Sequence, residues 1–92
     1  MSDNEISRAL ALAIGFDLAD VDLINGGIHV KRFIYYEKLR GGDGRWMRFD
    51  YRDPSVIWPI ASRYQKFPPN GVDEPERFVA YAVIDAKQRG EI

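Results

Sequence analysis

Two stretches of the chain, 28–39 and 45–51, are dense in aromatic and β-branched residues, and the four residues between them are Gly41-Gly42-Asp43-Gly44. Such stretches favour the pleated conformation and the glycines free the backbone for a tight reversal, so the pattern predicts an antiparallel β-hairpin with a four-residue loop. A two-stranded ribbon is marginal in water until one face is covered. The hairpin therefore dictates that the rest of the chain supply the cover.

Pairing Arg40 with Arg45 fixes an expected register. It opposes Lys38 to Met47, Tyr36 to Phe49 and Ile34 to Tyr51 on one face, and Ile28 and Val30 follow the same parity, so this mostly apolar face is the expected core side. The other face opposes Leu39 to Trp46, Glu37 to Arg48, Tyr35 to Asp50 and Phe33 to Arg52, which joins an acid to a base and a leucine to an indole, as cross-strand neighbours prefer.

Helices are expected on both sides of the hairpin. Ser2 with Glu5 is a capping-box pair, and Ile6, Ala9, Leu10, Ala13 and Ile14 form one apolar stripe ended by Gly15, with Phe16 folding back on the last turn. An aspartate-rich loop and an Asn25-Gly26-Gly27 turn follow. Asp53-Pro54 is an N-cap with proline at the first helical position, and Val56, Ile57, Ile60, Ala61 and Tyr64 continue at helical spacing. Pro59 interrupts that pattern, so the second helix is expected either to kink at Trp58-Pro59 or to be helical only from Pro59 onward. Pro68-Pro69-Asn70-Gly71 marks a stop. Asp73 with Glu76 reads as a second capping box around Pro75, opening a helix through Phe78 to about Arg89 and Gly90, and the apolar run 78–84 predicts burial on more than one side. The expected fold is α+β, in the order α-β-β-α-α, an antiparallel hairpin sheet packed by helices.

Ninety-two residues, 46% hydrophobic and 29% charged, fit one globular core, so a single domain over residues 1–92 is expected. The longest apolar runs, 9–16 and 78–84, are far short of the ~20 residues that span a bilayer. Met1-Ser2-Asp3-Asn4-Glu5 is acidic where a secretory signal is basic and then apolar, which predicts a cytoplasmic location and no membrane association. The absence of cysteine excludes disulfides, thiolate nucleophiles and cysteine metal ligands.

The net charge of −1 conceals a segregation, with residues 1–30 at −4, residues 31–66 at +5 and the remainder at −2. Acid-base or nucleophilic catalysis needs a base beside a nucleophile or carboxylates forced together, and His29 is the one histidine, set among Lys31, Phe33 and Tyr35. The chain is therefore expected not to be an enzyme. Asp17, Asp20 and Asp22 with Asn25-Gly26 depart from calcium-loop spacing and read as a solvated turn. The glycines at 41–44 join strands, whereas a phosphate loop opens a helix. No cofactor and no metal are expected.

What remains is the second sheet face, where Phe33, Tyr35 and Trp46 interleave with Lys31, Arg48 and Arg52. Aromatics and basic groups together make a stacking platform for single-stranded nucleic acid, and Trp, Tyr and Arg also dominate protein interfaces. Burial of these aromatics beneath the last helix or a second copy of the chain is the competing expectation.

Ser2-Asp3-Asn4-Glu5-Ile6, followed by Leu10-Ala11 and Ala13-Ile14-Gly15, resembles the start of the small phage accessory proteins of the NinX type, and Phe49-Asp50 with Trp58-Pro59-Ile60-Ala61 resembles their tryptophan-proline segment. The succession of helix, hairpin and helix is similar to the phage α/β/α sandwich domain. The long basic hairpin and the region after Pro68 depart from that pattern. The resemblance implies a phage or prophage accessory protein in the host cytoplasm and carries over no catalytic residues. The function expected is binding of a host protein or protein complex, for example as an anti-CRISPR inhibitor of a host defence complex, through Lys31, Phe33, Tyr35, Trp46, Arg48 and Arg52. The alternative is a single-stranded nucleic-acid-binding module using the same face, and a homodimer is compatible with either.

Overall fold

A computed structural model describes residues 1–32 and 45–92. The first helix, α1 (Asp3–Ala13), forms where the capping box predicts it: Ser2 Oγ accepts from the Glu5 amide at 3.2 Å and Glu5 Oε1 accepts from the Ser2 amide at 3.0 Å. It ends in a Schellman arrangement, in which the Phe16 amide donates to the Ala11 carbonyl and the Gly15 amide to that of Leu12. Gly15 takes φ +111°, a conformation that a side chain disfavours. Phe16 is thereby turned back onto the fold, where its ring meets Phe49 edge-on at 6.1 Å between centroids.

The aspartate-rich loop contains a 3-10 turn, Leu18–Asp20, and then a strand that the sequence reading lacked, β1 (Val21–Ile24). It pairs antiparallel with β2 (Gly27–Arg32), Ile24 opposite Gly27, through a two-residue turn at Asn25 (φ 49°) and Gly26 (φ 78°). Positive φ at both central residues is what a type I′ turn requires. The third strand, β3 (Arg45–Arg48), pairs antiparallel with β2, giving a three-stranded sheet in the order β1-β2-β3. The architecture is α+β, with the order α-β-β-β-α-α in place of α-β-β-α-α.

The expected hairpin register is corrected. Arg45 opposes Arg32 rather than Arg40, Trp46 opposes Lys31 rather than Leu39, Met47 opposes Val30 rather than Lys38, and Arg48 opposes His29 rather than Glu37. The two registers differ by eight residues, an even number, so both place the same residues of β3 on the same face and alternation cannot choose between them. The choice is made by the packing of β2: Ile28 and Val30 are buried, Val30 is held between Val21 and Met47, and the Phe49 amide donates to the Ile28 carbonyl at 2.8 Å. Phe33, Ile34, Tyr35, Tyr36, Glu37, Lys38, Leu39 and the glycine loop, all invoked in the expected hairpin, lie outside the described residues.

The second helix, α2 (Pro54–Tyr64), is capped by Asp53, whose Oδ1 accepts from the Ser55 amide at 2.9 Å and from its hydroxyl at 2.8 Å. It runs unbroken through Pro59, so the expectation of helix only from Pro59 onward is corrected. Pro59 and Ser55 are both exposed, and water can solvate the Ser55 carbonyl that the proline leaves without an amide partner. The third helix, α3 (Pro75–Gln88), is not opened by Asp73 and Glu76: its N-cap is Glu74, with no side-chain capping bond. Proline at the first helical position fixes the start, which makes the preceding residue the cap and Arg77, not Glu76, the third helical residue.

The buried residues form one cluster. Ile6, Leu10 and Ala11 of α1 meet Val21, Ile28 and Val30 of the sheet, and Ile57, Ile60 and Ala61 of α2 meet Val79, Ala80, Val83 and Ile84 of α3. α1 packs on β1 and β2, and α3 packs on both α1 and α2. The expected burial of α3 on more than one side is met over that wide arc, whereas Phe78 is 39% exposed and Tyr81 and Ala82 are half-buried. Among the described residues no helix is long and apolar enough to cross a membrane.

Candidate functional site

The sheet presents its second face through alternate residues of three strands. Asp22, His29 and Arg48 form one row across β1, β2 and β3, and Lys31 and Trp46 face each other in the next. Packing of α1 is directed to the opposite, Ile28 and Val30 side, which leaves Trp46 41% exposed and Arg48 and Asp22 exposed, with Lys31 and His29 half-buried.

Of the residues singled out from sequence, Lys31, Trp46 and Arg48 are therefore brought together. Lys31 is the direct cross-strand neighbour of Trp46, the relation in which side chains of an antiparallel pair interact. Arg48 reaches diagonally over β2, its Nε 3.8 Å from where a Cβ on Gly27 would sit, so the absence of a side chain at Gly27 gives the guanidinium a bed on the sheet. Its Nη2 lies 3.8 Å from Asp50 Oδ2, a loose pair on an exposed side chain that leaves the guanidinium open to an incoming anion. His29 Nδ1 lies 3.1 Å from the Gly27 carbonyl oxygen and donates to it in the tautomer protonated at Nδ1.

Arg52 is placed elsewhere. It follows the strand, and its Nε sits 3.1 Å from Asp3 Oδ2 and donates to the Tyr51 hydroxyl at 3.2 Å, while Nη2 is 3.8 Å from Glu74 Oε1. The Tyr51 hydroxyl in turn donates to Asp3 Oδ1 at 2.8 Å. This network joins the start of α1, the turn after β3 and the cap of α3. Burial pushes the Tyr51 phenol above its ordinary pKa, and the hydrogen bond to the Tyr51 hydroxyl, with the Asp3 carboxylate beside it, holds Arg52 still further toward its charged form. Phe33 and Tyr35 lie outside the described residues.

Sequence reasoning misses Asp22 because residues 21–24 read as part of the aspartate-rich loop, and misses His29 because the expected register sets Arg48 against Glu37. The signal was present: Val21-Asp22-Leu23-Ile24 followed by Asn25-Gly26 is a short strand running into the dipeptide that most favours a type I′ hairpin. Among the described residues no group of three or more His, Asp or Glu side chains could hold a metal ion, and the aspartates at 17, 20 and 22 are divided between the 3-10 turn and β1.

This face of a small α+β domain sets one exposed aromatic side chain, Trp46, among the basic side chains of Lys31 and Arg48. Compared with known protein families, curated proteins and solved structures, the chain finds no match in any of the three.

Proposed function

We propose that this chain is a non-catalytic phage or prophage accessory protein that docks on a host protein or protein complex and inhibits it, a host defence complex such as a CRISPR effector being the case in mind. The observation that carries the docking reading is Trp46, 41% exposed on an open sheet face, directly opposite Lys31 and beside Arg48. An indole and a guanidinium are the groups that most often dominate interface energetics, and the basic charge around them favours an acidic surface and speeds the encounter with it. The phage setting is supported by the resemblance of the opening helix and of the Trp58-Pro59 segment to the NinX type.

The test is affinity capture from a bacterial host with the wild-type chain and with Trp46→Ala/Arg48→Ala, each split into nuclease-treated and untreated halves. The proposal expects a discrete protein complex that survives nuclease and is lost with the variant. Capture that vanishes with nuclease, together with binding to labelled single strands that falls steeply with added salt, would replace it by nucleic-acid binding. Equal capture by the variant would remove this face from the account.

A further inference from the structure

Among the described residues β1 is the outer strand of the sheet, paired with β2 along one side alone. An outer strand offers its unused amides and carbonyls to any other extended chain, and sheets need some device against such pairing. The groups of β1 that face out are fixed by the rest of the ladder. The Ile28 carbonyl accepts from the Phe49 amide at 2.8 Å, so Ile28, and Val30 with the same parity, turn their main-chain groups toward β3. These directions alternate along an antiparallel strand, so Leu23 and Val21, which stand opposite Ile28 and Val30, turn theirs away from β2. Asp22, opposite His29, and Ile24, opposite Gly27 at the two-residue turn, spend theirs on β2. The outer edge of β1 thus consists of the amides and carbonyls of Val21 and Leu23. Both amides are already taken within the chain: that of Val21 donates to the Leu18 carbonyl and closes the 3-10 turn, and that of Leu23 donates to Oδ1 of Asp22 at 2.8 Å.

We propose that Asp22 guards this edge: its carboxylate occupies the one outward donor of β1 that the main chain leaves over, and so keeps β1 of a second copy from pairing there. A second strand brings donors and acceptors in alternation, and at β1 it meets two carbonyls whose companion amides are both engaged. To pair at Leu23 it must displace the carboxylate, exchanging a charge-assisted hydrogen bond for a neutral one, and to pair at Val21 it must undo the 3-10 turn. A second copy is the strand to be kept off, because two copies of β1 can meet antiparallel about a two-fold axis with Val21 of each opposite Leu23 of the other, which uses all the outward groups of both. Exposed apolar side chains at this edge would reward such pairing, Leu23 being 55% and Leu18 65% exposed. The 3-10 turn closes one donor by backbone alone, whereas the other is closed by a single side chain, so the guard can be removed by one substitution without disturbing the core. A partner then meets the β1 side of the sheet through side chains and not by strand addition.

The experiment joins amide hydrogen exchange of the full chain, followed by NMR in dilute solution, to sedimentation equilibrium between about 1 µM and 1 mM. In the wild type the Leu23 amide is expected to exchange more slowly than an unbonded amide of the same sequence. Asp22→Ala is expected to keep the circular dichroism spectrum, to speed Leu23 exchange by roughly two- to tenfold, the weight of one net hydrogen bond, and to sediment with a mass that rises above the wild-type value toward twice the 10.6 kDa chain mass. Asp22→Asn removes the charge and keeps a side-chain oxygen that accepts, so it should retain both the slow exchange and the wild-type mass. A wild-type Leu23 amide that exchanges at the unprotected rate, an Asp22→Ala chain that sediments as the wild type does, or an Asp22→Asn chain that associates as far as Asp22→Ala would each overturn the proposal, the last by making charge rather than donor occupancy the cause.

Discussion

The main-chain amide of Tyr51 donates to Oγ of Ser7 at 3.1 Å, a buried bond between residues 44 positions apart in the chain. Ser7 is the buried polar side chain of α1, at 2% exposure, and it satisfies a backbone donor left over where the chain leaves β3. With the Tyr51 hydroxyl on Asp3, this bond fixes α1 to the turn that leads into α2. Ser7→Ala removes the acceptor and strands the amide, which costs about 1–3 kcal/mol. Urea denaturation of the variant checks this, and an unchanged midpoint would show that water reaches the amide.

Leu10 is fully buried on the face of α1 that meets the sheet and α3. Leu10→Ala should lower stability by about 2–5 kcal/mol, the range for a truncated core leucine that leaves part of its volume empty. Arg48→Ala, on the open face, should shift it by no more than about 0.5 kcal/mol. Thermal unfolding of the pair separates a folding role from a docking role.

Pro59 offers the opposite sign. An exposed proline inside α2 withholds an amide from the Ser55 carbonyl, so Pro59→Ala restores a helical hydrogen bond and substitutes the best helix former. The gain, net of the added freedom of the unfolded chain, should be about 1–2 kcal/mol, read as a higher urea midpoint.

Acid should weaken the fold through its helix caps. Hydrogen bonds from Ser2 hold Glu5 below its usual 4.5, and hydrogen bonds from Ser55 hold Asp53 below its usual 3.8. Both are carboxylates with depressed folded-state pKa values, so the unfolded chain binds protons first as pH falls. Their contribution is whole above about pH 5 and is lost as pH drops through the depressed values. Melting temperatures from pH 7 to pH 2 should fall in that window, and Glu5→Gln, which keeps a side-chain acceptor but cannot titrate, should flatten part of the slope. A variant with the wild-type slope would remove Glu5 from this account.

Gly15 has open space where a Cβ would go, so a substitution there is opposed by its backbone angle alone. Gly15→Ala should cost about 1–2 kcal/mol with no change in packing. A larger loss, measured by calorimetry, would mean that the Phe16 ring had left Phe49.

Local chemistry was legible in the sequence wherever a few neighbouring residues settle the matter. Ser2 with Glu5 and Asp53 with Pro54 set two helix starts, and Gly15 set one helix end, because capping bonds and positive φ act within a single turn of chain. Alternation assigned Ile28, Val30 and Phe49 to the core side and Trp46 to the other, since side-chain direction in a strand depends only on parity. Tertiary structure decided what parity leaves open. Two registers eight residues apart satisfy the same alternation, and only the packing of β2 between β1 and β3, over α1, selected the one that sets Trp46 against Lys31. It likewise drew Arg52 off the sheet face to Asp3 and Glu74, because the carboxylates that capture it come from helices remote in sequence and no local pattern records that they will meet.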